Sequence, residues 1–238
     1  MRSLNKFIGI FLALAFFGLS TELTAQTKIT SGHLILQATD VKMPGMQGNP
    51  EMEMAMEMLK DGSMEIYFTE DKSLSVHDMA AGMSVTKTLM DSQNDRGVMY
   101  MNMMGQKMKI DMGSISEIED YEEDYTIEIY EDDRKEILGF DAYRVVMKVE
   151  AQGQSMEMEF YITEQIKTMA SLVAQIPENP FPGTALKMSM NMMGMELTFE
   201  AVEFNEKFDT SVFDIDDSQY REMDMDALQQ MGGGGFGF

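Results

Sequence analysis

Met188, Met190 and Met192 alternate along one segment of this chain, and Met99, Met101 and Met103 alternate along another. On an extended backbone each set shares one face, with Cβ atoms about 6.6 Å apart. Met156 and Met158 repeat the pattern, and Met104, Met193 and Met195 supply the second faces. The sequence holds 29 methionines and no cysteine, so its soft chemistry is thioether chemistry. Three uses of that side chain stand open. Methionine fills an irregular core as an unbranched, adaptable apolar group. It lines cavities for variable lipid tails, re-packing around each. It also captures Cu(I) or Ag(I) through sulfur, for which Met188, Met190, Met192, Met193 and Met195 are the candidate set. A metal site needs only three or four thioethers, whereas these are spread over the chain, which favours packing or lipid.

Other chemistry is thin. His33 and His77 are far apart in sequence, with no H-E-x-x-H and no cysteine to complete a zinc set. There is no G-x-S-x-G and no thiol nucleophile. The acidic runs Glu117 to Asp124, Glu131 to Asp133 and Asp214 to Asp217 lack the ligand spacing of a calcium loop. The glycines from Gly232 to the C-terminus neither follow a strand nor open a helix, so they are no phosphate loop. The expectation is a protein that is not an enzyme and carries no cofactor.

The elements that would position the methionines read mainly as strands. Lys135 to Lys167 is the clearest stretch: two strand-like runs around a Gly-containing turn, with Phe140, Ala142, Val145, Met147 and Val149 as its apolar side. The phase slips between Ala142 and Val145, which predicts a bulge or burial on both faces. Lys28 to Val41 reads as a first strand. Asn49, Pro50 and Glu51 open a helix that Lys60 and Gly62 close. Short β-leaning runs then meander from Met64 to Met112. Tyr125 to Tyr130 resumes the sheet, and Glu131 to Arg134 reads as a turn. Thr163, Glu164 and Gln165 could cap a second helix reaching Gln175, with Ile166, Met169, Leu172 and Val173 on one face. Thr184 to Met192 and Met195 to Phe204 are the last strands. Asp216 to Gln230 reads as a weak helix.

Met1 to Ala25 has the form of a secretory signal peptide: Arg2 and Lys6, an apolar run to Leu19, then Leu23-Thr24-Ala25 before Gln26. Without cysteine there is neither a disulfide nor a lipid-bearing N-terminus, so a soluble exported protein, periplasmic and not a lipoprotein, is expected. The formal charge of −23 argues against nucleic acid and anionic membrane surfaces. Residues 26–215 are enough for one β domain, and residues 216–238 read as a flexible acidic, Gly-rich tail.

The phrase K-E-I-L-G-F-D-A-Y-R, followed by E-F-Y-I-T-E and P-G-T-A-L-K, resembles exported bacterial proteins grouped as domain of unknown function 4412. The likeness runs loosely from Ile29 to Ile215. That family is similar to the group of the LolA and LolB lipoprotein carriers. The resemblance implies a mainly β (α+β) fold: a curved antiparallel sheet or half-barrel of about nine to eleven strands with two short helices over its concave face. It also implies an apolar cavity for acyl chains. In this chain the cavity would be lined from one meander by Met99, Met101 and Met103, and from the hairpin by Phe140, Val145, Met147, Met156 and Met158. Met169 and Val173 would come from the second helix, and Met188, Met190 and Met192 from the last hairpin. The expected function is a non-enzymatic binder or carrier of a hydrophobic small molecule or lipid. A methionine-rich Cu(I)/Ag(I) binder and a structural envelope protein with a filled methionine core are the alternatives.

Overall fold

The computed structural model describes residues 28–42, 50–79, 81–115, 125–151, 154–170, 180–192 and 195–224. The expected signal peptide, the acidic run Glu117 to Asp124 and residues 225–238 lie outside them. In chain order the elements are β1 (Gly32–Lys42), α1 (Pro50–Lys60), β2 (Ser63–Phe68), β3 (Lys72–Met79), β4 (Ser84–Asp91), β5 (Arg96–Met103) and β6 (Gln106–Gly113). Then follow β7 (Tyr125–Ile137), β8 (Phe140–Ala151), β9 (Gln154–Thr163), β10 (Thr184–Met192), β11 (Met195–Asn205) and the two-residue β12 (Arg221–Glu222).

All twelve strands form one curved, open sheet in the order β12-β6-β5-β4-β3-β2-β1-β11-β10-β9-β8-β7. Two antiparallel meanders, β1 to β6 and β7 to β11, are joined by the pairing of β1 with β11. Among the described strands only β12 pairs in parallel, with β6. The connectivity itself requires the curvature. Strands β6 and β7 are consecutive in the chain yet ten places apart in the sheet, roughly 48 Å if the sheet were flat. The chain between Gly113 and Tyr125 reaches at most about 40 Å. The two edges must therefore curl toward one another.

Local sequence explains the meanders. Leu138 and Gly139 both have positive φ, 53° and 83°, between the paired residues Ile137 and Phe140. Met104 and Gly105 repeat this at 50° and 86°, between Met103 and Gln106. Positive φ at both central positions makes the tight turn whose twist matches a hairpin. Gly183 is needed for another reason: a Cβ there would lie 2.1 Å from the carbonyl oxygen of Thr163.

Three local expectations differ from the structure. Glu131 to Arg134 is not a turn but lies within β7, where the register shifts between Tyr130 and Arg134 opposite the adjacent pair Arg144 and Tyr143. The phase slip in β8 is thus matched by a bulge in its neighbour, and Ala142, Tyr143, Val145 and Val146 are all buried. Second, Glu164–Ala170 is not helical. Ile29 N–H donates to the Gln165 carbonyl at 2.8 Å and Lys167 N–H to the Ile29 carbonyl at 2.9 Å, a parallel bridge that buries Ile166. A partner 137 positions upstream thereby takes the backbone groups that a helix would have used. The rest of that expected helix, residues 171–175, is outside the described residues. Third, Asp216 does not begin a helix. It caps a short 3-10 turn, Asp217–Gln219, which leads into β12.

Candidate functional site

Directly opposed residues of an antiparallel pair share a sheet face, so the register traces each face across the molecule. From Met101 the row runs through Thr86, His77, Met64 and Leu36 to Ala201. From Ala38 another runs through Phe199, Met188, Phe160 and Val145 to Ile129. Leu36 and Ala38 have the same parity in β1, so both rows lie on one face. Leu34, Leu36, Met147, Phe160, Phe199 and Met188 on it are essentially inaccessible, which makes it the inner side of the curved sheet.

The methionines of the strands gather on this inner face. Met147, Met158 and Met190 stand directly opposite one another on β8, β9 and β10. Met101 opposes Met108, and Met192 is in register with Met195. The row assignment brings together most of the expected cavity residues. Val145, Met147, Met158, Met188, Met190 and Met101 are buried, while Met99, Met103 and Met156 are half-buried. Met64 and Met108 join them, although sequence reasoning did not single them out.

Other expected members stand apart. Phe140 is half-buried at the start of β8 with the parity opposite to Val145, and its ring meets Phe204 edge-on at 5.3 Å. Met169 is half-buried in the bridged segment rather than on a helix, and Val173 and Met193 lie outside the described residues. The helix α1 forms as expected and packs against β1, but Met54 and Met58 on it are exposed. Where the face is closed by described residues, Phe181 lies on Phe160 with ring centroids 4.7 Å apart.

The inner face carries its own polar interruption. From β6 to β9 no Asp, Glu, Lys or Arg occupies it among the described residues, yet β3 presents Ser73, Ser75 and His77, and β4 presents Thr88 and Thr86 opposite the last two. Ser73 and Ser75 are buried. Burial alone pushes the His77 imidazole down to about 4, since its direct cross-strand neighbours, Met64 and Thr86, bring no charge. The alternation of K-S-L-S-V-H was no guide: Leu74 and Val76 look like the core side, but they face outward.

The outer face is charged. Lys187 pairs with Glu200, Arg144 with Glu159 and Asp133, and Lys148 with Glu128. Across β2 to β6 the C-terminal segment covers it. The 3-10 turn Thr210–Phe213 lies against β3, Phe208 bridges Tyr67 and Phe213, and Tyr220 meets Tyr100 edge-on at 5.1 Å. Lys109 reaches Asp217 at 2.8 Å and Glu222 at 3.1 Å. Leu74, Val98 and Phe213 are buried as a result. Beneath Phe208, Tyr67 stacks on His33 at 3.9 Å and its hydroxyl donates to Glu65 at 2.6 Å; burial first, then that carboxylate, hold the phenol well above its usual range.

No helix of the described residues is long and apolar enough to cross a membrane. No family model matches the chain, so its likeness to the 4412 family rests on the residues quoted above. No curated protein matches it. Among solved structures it is similar to the lipoprotein LppX of Mycobacterium tuberculosis, at 10% identity and a TM-score of 0.32 over 76% of this chain and 89% of that one. It is also similar to LprF of Mycobacterium bovis, at 13% identity and a TM-score of 0.31 over 78% of this chain and 90% of that one. Likenesses this distant say nothing about what this chain binds.

Proposed function

We propose that this protein is an exported, non-enzymatic binder or carrier of a hydrophobic ligand, a lipid or another acyl-bearing molecule. One observation carries the reading: the inner face of the sheet is apolar and methionine-rich, and from β6 to β9 it bears no Asp, Glu, Lys or Arg among the described residues. Its half-buried members, Met99, Met103, Met108 and Met156, would bind by removing their remaining apolar area from water, at about 25 cal/mol per Å². Thioether chains suit it because they re-pack around tails of different length. The carrier function of the LolA-like group agrees with it; the 4412 family, which the K-E-I-L-G-F phrase resembles, is similar to that group. Native mass spectrometry of protein purified gently from its own host tests the reading. Adducts of several hundred daltons that organic solvent removes are expected; a bare mass after incubation with lipid extract overturns it.

A second reading has its own observation. Met147, Met158 and Met190 are directly opposed on three adjacent strands, which brings three thioethers to one place, as Cu(I) or Ag(I) would need. Mass increments of copper or silver at fixed stoichiometry, lost on Met158→Leu, would support it in place of the lipid.

A further inference from the structure

The two edges of the sheet differ. At one, the C-terminal segment adds β12 beside β6, with Arg221 and Glu222 in register with Met108 and Lys109. At the other, β7 is the last strand in the order, and its far side has no strand partner among the described residues. All of β7 except Ile127 and Ile137 is exposed. An edge strand presents a row of unpaired backbone N–H and C=O groups, which proteins guard with a bulge, lysine or proline. The bulge between Tyr130 and Arg134 guards only the second half of β7. Tyr125 to Tyr130 is regular, paired residue for residue with β8 on its inner side, and its Tyr, Thr and Ile favour extended backbone. It holds no lysine or proline, and its one charge, Glu128, is paired with Lys148 at 2.9 Å. The inner-face row through Phe199, Met188, Phe160 and Val145 ends here at Ile129, which is 50% exposed.

The bulge beside this stretch is acidic. Glu131 and Asp132 are exposed and form no ion pair with a described residue, while the cations next to them are engaged: Arg134 with Asp141, and Lys135 over the Tyr161 ring at 4.0 Å. A second copy of this chain would bring the same acids against these, and the whole chain carries −23, so the edge disfavours itself. We infer that Tyr125 to Tyr130 receives, by strand addition, an extended segment of a basic protein in which apolar residues alternate with Lys or Arg. The partner's backbone takes up the unpaired groups of β7. Opposed residues share a face, so its apolar side chains continue the row of Ile127 and Ile129. Its cations then fall in the outer row, beside Glu128 and toward the acids of the bulge. The net charge of the chain also draws a basic partner in from a distance. None of this depends on what the inner face binds.

The test is fluorescence anisotropy of the purified protein with a fluorescein-labelled octapeptide that alternates valine and lysine. Its controls are the same residues in two blocks, an alternation of valine and glutamate, and the alternating valine–lysine peptide N-methylated at every peptide bond. One net hydrogen bond is worth about fivefold in affinity, so losing two or more should weaken the N-methylated peptide at least tenfold, roughly. The block and glutamate peptides should also bind more weakly. Bound alternating peptide should slow hydrogen exchange in Tyr125 to Tyr130. Ile129→Lys should abolish binding, with its thermal melting followed by circular dichroism to show that it is folded. Glu131→Gln/Asp132→Asn, at exposed positions, should weaken binding and flatten its salt dependence, and it decides the matter with the exchange pattern if Ile129→Lys does not fold. The inference is overturned if any control binds as tightly as the alternating peptide, if no peptide binds, or if folded Ile129→Lys still binds. A wild-type dimer in light scattering that Ile129→Lys dissolves overturns it in favour of a second copy at this edge.

Discussion

Leu138 and Gly139 set a tight turn like that of Met104 and Gly105, and Leu138 is the wrong residue for its backbone. A Leu side chain at φ 53° is strained, and this one is exposed besides. Leu138→Asn is expected to stabilise the protein by about 0.5–1 kcal/mol, because Asn tolerates that conformation, and Gly139→Ala to destabilise it by about 1 kcal/mol; urea unfolding of the two variants would check the opposite signs. His77 sets a pH dependence. The folded protein holds it neutral down to about pH 4, whereas the unfolded chain protonates near 6.5. Between those values the unfolded state binds more protons, so stability falls as the pH drops from 6.5 toward 4, by an amount on the order of 2 kcal/mol. His77→Gln should flatten that part of the curve. A wild-type stability that stays level across the same range would contradict the desolvation of this half-buried ring.

At the scale of elements, the C-terminal segment matters more than its composition suggests. It covers β2 to β6 through Phe208, Phe213 and Tyr220 and adds β12 beside β6. Two kinds of interaction hold it, and their magnitudes differ. Phe213 is buried, and truncating a buried phenylalanine costs about 3 kcal/mol. Lys109 makes two ion pairs with half- or fully exposed acids, and such pairs contribute little. Phe213→Ala should therefore lower the denaturation midpoint much more than Lys109→Met does. Hydrogen exchange should quicken in β3 and β12 in the first variant and barely change in the second. Equal effects would mean that charge, not apolar contact, docks the segment.

For the whole molecule, the sheet divides two chemistries: thioethers within, ion pairs without. Replacing Met158 tests what the inner chemistry is for. Met158→Leu conserves volume and should cost under about 1.5 kcal/mol, while Met158→Ala should cost about 2–5 kcal/mol, both read from thermal unfolding. If methionine is there for adaptability, Met158→Leu should also narrow the spread of lipid adduct masses in native spectra without unfolding the protein. An unchanged spread would assign the methionines to packing alone.

Much of this was legible in the sequence, and the boundary has a physical cause. Period-two alternation and short turn signals located most of β1 to β11, and the caps Asn49, Pro50 and Gly62 located α1, because those signals are local and set by the nearest few positions; the run from Lys135 to Glu150 reads as one strand and hides the turn at Leu138 and Gly139. The shared face of Met188 and Met190, or of Met99 and Met101, follows from the same rule. Which face is inside does not, since a shift of one residue exchanges the two, and K-S-L-S-V-H would have been assigned the wrong way round. Only the register across β1, β2 and β3 puts Ser73, Ser75 and His77 inward with Met64 and Phe68, and only the C-terminal segment gives Leu74 a place to be buried. The expected helix after Thr163 was lost for a related reason. Its local capping signal was overridden by Ile29, far upstream, which pairs with the backbone around Ile166. Local chemistry determined the strands and what each could present; pairings between distant segments decided what meets what, and so where any ligand would lie.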